Sequence, residues 1–288
     1  MTTISSATRT VSFGGPGEPT AVIGERINPT GKAKLAAALQ ARDYSLVASA
    51  AKRQAAAGAH VLDVNVGAPG VDEPDALARA VETAMSVSDL PLCVDSANPA
   101  AIEAGLRAYR GKALINSVTG ERHSLEVILP LVKTYGAAII GMTQDDGGIP
   151  STAEERLAIA RRILDECLRL GIPREDVVID CACLSAGADP SAPQVTLKTV
   201  RLVSEELGLA TVLGVSNVSF GLPDRRAINA GFLAMAIGAG LSAAIVDPTV
   251  PEILGSIHIA DLLAGRDDYA VRYLAYYRAT QAALQKPS

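Results

Sequence analysis

One pattern constrains this chain more than any other. From about Ala21 onward, eight short β-branched and aliphatic runs alternate with longer segments of helical period. The runs are Ala21–Ile27, Val61–Val66, Leu92–Asp95, Ala113–Ser117, Ala137–Met142, Val177–Asp180, Thr211–Ser216 and Ala243–Val246. Strands that are apolar on both faces and are each followed by a helix belong to parallel sheets covered by helices. Eight such units close on themselves, so the expected fold class is α/β, a (β/α)₈ TIM barrel. The 288 residues suit one barrel, and no linker or composition break marks a second.

Residues 1–20 are rich in Thr, Ser, Gly and Pro without a hydrophobic period, which suggests a flexible or surface-strapped N-terminal extension ahead of a barrel domain over 21–288. Helix signals fill the gaps between strands. Asn98-Pro99 reads as an N-cap with Pro in the first turn, Ser151 with Glu154 fits a capping box, and Gly171 followed by Pro173 stops the helix that this box starts. The uncharged stretch Ala227–Val246 is long enough to cross a bilayer. Its Asn229, Ser242 and interspersed Gly divide it instead into a helix over Ile228–Gly238 and a strand over Ala243–Val246.

Composition narrows the partners. With 31 acidic against 26 basic residues, no basic run and 3% aromatics, neither nucleic acid nor an anionic membrane is an expected partner. Four Cys in a chain of this length make no disulfide framework, and Met1–Val11 lacks the apolar core of a signal peptide, so a cytoplasmic setting is expected.

In barrels of this kind the reactive groups sit at the carboxyl ends of the strands. There the chain delivers Glu25-Arg26, Asp63-Val64-Asn65, Asp95-Ser96, Asn116-Ser117, Asp145-Asp146, Asp180, Ser216-Asn217 and Asp247. Only three His occur (His60, His123, His258) and no His-x-His pair ends the first strand, so a metal-dependent hydrolase lacks ligands. No Lys is placed at a strand end, which disfavours Schiff-base chemistry. A rim rich in Asp and Asn suits a neutral heterocycle with several N–H donors, because an ionised carboxylate accepts two of them at once. A pterin ring has that edge.

The words at these positions carry a resemblance. Ile23-Gly24-Glu25-Arg26-Ile27-Asn28, Leu62-Asp63-Val64-Asn65-Val66-Gly67, Cys93-Val94-Asp95-Ser96, Ile115-Asn116-Ser117 and Gly214-Val215-Ser216-Asn217-Val218-Ser219-Phe220 resemble the methyltetrahydrofolate:corrinoid protein methyltransferases and the pterin domain of cobalamin-dependent methionine synthase. Dihydropteroate synthase is more distant, its Asn-Val-Thr-Pro-Asp opening and late Lys signature being absent.

The resemblance implies a cytoplasmic methyltransferase of one-carbon metabolism, with 5-methyltetrahydrofolate or tetrahydrofolate as substrate and no protein-bound metal. The chain has no Asp-x-His-x-x-Gly signature, so the corrinoid (cobalamin) is expected on a partner, a corrinoid protein. A homodimer with each barrel mouth open to that partner is also implied. Asp95, Asn116 and Asp180 become pterin ligands, Asn217 faces N5, and Asn217 and Asp95 are the candidate catalytic residues. Asp63, Asn65, Glu25 and Phe220 complete the substrate-binding set.

Simpler roles stand beside these. A strand-end Asp also caps helices. Asp63 and Asn65 share one strand face and could hydrogen-bond Arg26 or loop backbone; Glu25 and Arg26 alternate sides, so only one points inward, and a structural ion pair with Asp63 is the simpler reading. Phe220 could pack its loop, and Cys181 and Cys183 could be small buried hydrophobes. Tyr269, Tyr273, Tyr276 and Tyr277 form a helical stripe suited to docking on the barrel. The alternative activities are a dihydropteroate-synthase-like condensation and a noncatalytic folate-binding subunit of a corrinoid system.

Overall fold

The computed structural model describes residues 1–284. In chain order its elements are β1 (Thr2–Ser5), β2 (Thr10–Phe13), β3 (Ala21–Ile27), α1 (Ala33–Gln40), α2 (Ser45–Ala56), β4 (Val61–Val64), α3 (Glu73–Val87), β5 (Leu92–Asp95), α4 (Pro99–Ala108), β6 (Leu114–Thr119), α5 (Arg122–Tyr135), β7 (Ala138–Met142), α6 (Ala153–Arg169), β8 (Val177–Asp180), α7 (Ala192–Leu202), β9 (Ala210–Gly214), α8 (Arg225–Gly238), β10 (Ala243–Val246), α9 (Pro251–Leu263) and α10 (Val271–Leu284). Strands β3 to β10 pair in parallel and in sequence order, and β10 closes on β3. This is the (β/α)₈ barrel that the alternation implies.

The two-residue period of a strand sorts its side chains between two cores. Leu62, Val64, Leu92, Val94, Ile115, Ile139, Ile179 and Leu213 belong to the large cluster shared with the helices. Ala21, Ile23, Val61, Cys93, Leu114, Ala138, Ile140, Val178, Ala210, Val212 and Ala243 form a separate cluster in the lumen. One step further toward the carboxyl ends, the same inward parity falls on Glu25, Asp63, Asp95, Asn116, Met142, Asp180, Gly214 and Asp247. The lumen therefore changes within one layer from apolar to acidic, and this change creates the site.

The other end of the lumen is closed by residues that the sequence suggests are a flexible or surface-strapped extension. β1 and β2 instead pair as an antiparallel hairpin, and Ile4 and Phe13 are completely buried within the lumen cluster. Burial of two such side chains contributes about 1.5–3 kcal/mol each. Tyr109 donates to the Ser5 carbonyl at 2.8 Å, and Ser6 donates to the Asp89 carbonyl at 2.6 Å. The hairpin passes so close to Gly111 (φ +139°) that a Cβ there would lie 2.1 Å from the Ser5 oxygen. Ile4 and Phe13, with half-buried Val11 packed against the same cluster, are too few apolar residues to register as a period.

Smaller expectations divide. Asn98 caps α4, its side chain accepting the Ala100 N–H at 3.0 Å. The capping box of α6 is shifted by one residue: Thr152, not Ser151, accepts the Glu155 N–H at 3.3 Å and donates to its carboxylate at 2.6 Å. The uncharged stretch divides into α8 and β10, and no described helix is long and apolar enough to cross a membrane. The run after Gly214 does not continue as a strand but coils into a 3₁₀ turn over Val215–Ser219. Of the tyrosine stripe, Tyr276 stacks on His258 with ring centres 4.5 Å apart, whereas Tyr269 precedes α10 and is 96% exposed.

Candidate active site

Asp63 and Asp95 lie on neighbouring strands in contact with one another. Asp63 is almost wholly buried, and burial, then the charge of Asp95, pushes its carboxyl well above the usual range. Burial also raises Asp95, to about 6, against the opposing hydrogen bonds from Asn65 and Asp63. Two adjoining carboxyls in a desolvated layer disfavour double ionisation, so each raises the proton affinity of the pair and the two titrate as a unit.

Amides orient both members. Asn65 donates to Asp95 Oδ2 at 3.0 Å while its own oxygen accepts the Gly67 N–H at 2.9 Å. Asn116 donates to Asp63 Oδ1 at 3.3 Å. The Asn116–Ser117 peptide is cis, and the β6–β7 register shifts between Asn116 and Val118. On β8, Asp180 accepts the Ala182 N–H on Oδ1 at 2.8 Å. Burial lifts its carboxyl to about 6, so at neutral pH it is mostly ionised and its other oxygen is available.

Asn217 rides on the turn after β9 and is exposed. Its amide nitrogen lies 3.4 Å from where a side-chain carbon on Gly214 would be. Gly214 thus leaves an opening in the polar layer over which the Asn217 amide extends. Sequence reasoning missed the residue that braces this turn: Arg225 donates to the Ser216 carbonyl at 2.7 Å and to Ser219 Oγ at 3.0 Å. Phe220 does not pack its loop. It is 70% exposed, with the Arg225 guanidinium 5.7 Å from the ring centre.

The first strand corrects two expectations. Glu25 points inward, and burial, then Asp247, raises its carboxyl. Arg26 points outward and pairs with Asp247 at 3.2 Å rather than with Asp63. A lysine does reach the rim: Lys32, just before α1, turns back so that Nζ lies 3.3 Å from the Arg26 carbonyl. Burial and then Arg26 lower its pKa against the pull of Glu25, Asp247 and Asp63. Its position seven residues after Glu25 hides this return in the sequence. Cys181 and Cys183 are buried, and burial raises both thiols, Cys183 to about 12. This is the state of small core hydrophobes rather than nucleophiles.

A closed parallel barrel with an acid–amide ring at its carboxyl mouth has the architecture of a barrel enzyme. Residues 24–247 match the family described as pterin binding enzyme, and the chain belongs to that family. A methylcorrinoid:tetrahydrofolate methyltransferase of Eubacterium limosum is 28% identical over 266 residues, 89% of this chain and 96% of its own length. The methionine synthase of Mycobacterium leprae is 34% identical over 241 residues, 78% of this chain, and these make up 20% of that larger protein. Among solved structures, dihydropteroate synthase of Yersinia pestis covers 91% of this chain and 98% of its own, with a TM-score of 0.64 at 17% identity. The 7,8-dihydropteroate synthase of Vibrio fischeri gives the same coverage with a TM-score of 0.68 at 14% identity. At these identities the likeness extends to the barrel fold alone.

Proposed function

We propose that this chain is a methyltransferase that moves a methyl group between N5 of 5-methyltetrahydrofolate and the cobalt of a corrinoid carried by a separate protein. The observation that carries the reading is the layer of Asp63, Asp95, Asn116 and Asp180 across one barrel mouth, with the Asn217 amide standing over the opening at Gly214. The near full-length similarity to a methylcorrinoid:tetrahydrofolate methyltransferase supports it independently.

In this reading Asp95 and Asp180 accept the N–H groups of the pterin edge, and Asn116, with its nitrogen committed to Asp63, offers its oxygen beside them. Asn65 and Glu25 shape the same layer, and exposed Phe220 lies at the lip of the mouth where the rest of the folate extends.

The reduced corrinoid supplies the electron pair that forms the cobalt–carbon bond, while the carbon–N5 bond breaks and its electrons stay on N5. An amine expelled without a proton is a poor leaving group, so N5 must gain one as the bond breaks. Asn217 stabilises N5 in that state through an oriented amide, an interaction stronger in the transition state than in the bound substrate. The proton reaches N5 from water or through the carboxylate network that Asp95 and Asp63 form. In the reverse direction it leaves by the same route.

The partner is a corrinoid protein docking over the open mouth. The assembly we infer is a homodimer, for which exposed Met235 on α8 and Ile259 and Leu263 on α9 offer apolar surface far from the strand carboxyl ends. Four buried free cysteines accord with a reducing cytoplasmic setting for this step of one-carbon metabolism. Titration with 5-methyltetrahydrofolate, followed by spectroscopic detection of corrinoid methylation on a reduced corrinoid protein, tests the reading. Binding without transfer would make the chain a folate-binding subunit, and absence of binding would remove the pterin assignment.

A further inference from the structure

Arg156, on α6, is the largest fully buried side chain, with 1% of its surface exposed. Among the described residues no carboxylate lies at ion-pair distance from its guanidinium, which spends its hydrogen bonds on neutral oxygens. A buried cation without an ion-pair partner is costly, so the fold keeps it there for what those oxygens do. Nε donates to the Pro150 carbonyl at 2.8 Å. Nη1 donates to the carbonyls of Cys181 at 3.1 Å and Ala182 at 2.8 Å and reaches Thr196 Oγ1 at 3.4 Å. Thr196 in turn donates to the Ala182 carbonyl at 3.0 Å. Ala182 has φ +55°, a left-handed conformation that a residue with a Cβ adopts only when its surroundings hold it there.

The peptide joining Cys181 to Ala182 connects this cation to the site. Its oxygen accepts from Arg156, and its N–H donates to Asp180 Oδ1 at 2.8 Å. In a planar trans peptide the C=O and N–H point in opposite directions. A cation that fixes the oxygen therefore aims the N–H at the carboxylate, and it polarises the peptide so that the N–H becomes a stronger donor.

We propose that Arg156 is a positioning residue for Asp180, acting through the Cys181–Ala182 peptide to hold the Ala182 N–H against the carboxylate and keep it ionised for a substrate's N–H edge. The functional part rests on the assignment of Asp180 as a pterin ligand; the geometric part does not. Burial alone would leave the Asp180 carboxyl higher than about 6, and the Ala182 N–H and the Arg156 charge oppose it. The other ionisable groups nearby are the thiols of Cys181 and Cys183, which burial keeps neutral, and Asp189, whose charge acts on Arg156.

The test is a carboxyl carbon NMR titration of the full-length protein, with the Asp180 signal assigned through Asp180→Asn. The wild-type midpoint is expected near 6. In Arg156→Met it rises by about one pH unit or more, and in Arg156→Lys, which keeps the charge and loses the fork, it rises by less. In Thr196→Val, which leaves the Cys181 carbonyl with its guanidinium, it stays in place. Binding of 5-methyltetrahydrofolate to Arg156→Met falls about threefold or more near pH 6.5 and recovers near pH 8.5, a rescue that general loosening of the loop does not give.

A folded Arg156→Met protein with the wild-type midpoint overturns the proposal, as does an equal rise in Thr196→Val. If Arg156→Met does not fold, an unmoved midpoint in Arg156→Lys overturns it instead. The NMR midpoint requires no folate, so a protein whose Asp180 responds to Arg156 but which binds no folate at any pH retains the positioning role and loses the pterin assignment.

Discussion

Asn65 is fixed at both ends: its nitrogen donates to Asp95 Oδ2 at 3.0 Å and its oxygen accepts the Gly67 N–H at 2.9 Å. The side chain therefore acts on Asp95, the carboxylate proposed above as a pterin ligand. Its amide is one of two groups that hold the Asp95 carboxyl down toward about 6 against burial. Asn65→Ala is expected to raise that midpoint and weaken 5-methyltetrahydrofolate binding about tenfold at neutral pH, the scale of one hydrogen bond to a charged group. Fluorescence titrations near pH 7 and pH 8.5 check this. Wild-type affinity at neutral pH would make Asn65 dispensable to Asp95.

Asn217 is assigned to the transition state rather than to binding. Asn217→Ala should slow methyl transfer by about 10²-fold or more, as for one lost oriented donor, while folate affinity changes less. Pre-steady-state transfer measured beside equilibrium binding separates the two effects, and an equal loss in both would place Asn217 in uniform binding instead.

Burying Asp180 costs stability, with a definite dependence on pH. Its folded carboxyl, at about 6, lies above the ordinary value of 3.8, so the folded state binds the proton more tightly than the unfolded state does. The associated stability is fully present below about pH 4 and is lost as pH rises through about 6. Asp180→Asn, which has no charge to desolvate, should exceed the wild type by about 2–3 kcal/mol near pH 7 and match it near pH 4. Denaturant melts at the two pH values decide it, and an equal difference at both would assign the effect to packing.

Phe13 and Ile4 seal the lumen from the end opposite the site. Phe13→Ala is expected to cost about 3–5 kcal/mol of stability, with folate affinity per folded molecule unchanged. Calorimetry and binding on the same preparation test this. A stability loss below about 1 kcal/mol would mean that the hairpin is not part of the lumen core.

The sequence makes the barrel legible because eight strands repeat one signal, and the acid–amide ring because strand ends locate it once the barrel is inferred. What it hides depends on contacts between distant segments. Ile4 and Phe13 are isolated apolar residues in a Thr- and Ser-rich stretch, and only the lumen they fill explains them. Asn217 is placed by a tight turn that begins where an apolar run reads as strand. Lys32 reaches the rim by folding back along its loop, and Arg26 finds Asp247 across the β10–β3 closure, more than 200 residues away along the chain. The pairing of Arg26 with Asp63 fails for that reason, since nearness along the first two strands is outweighed by the closure of the barrel.

The most direct measurement of the central claim is single-turnover methyl transfer. Reduced corrinoid protein and 5-methyltetrahydrofolate are mixed with this chain, and the corrinoid spectrum is followed as the methyl–cobalt bond forms. The account predicts methylation of the corrinoid with one tetrahydrofolate released per methyl group, and a rate reduced about 10²-fold or more in Asn217→Ala. Tight folate binding with no corrinoid methylation, or transfer as fast in Asn217→Ala as in the wild type, would contradict it.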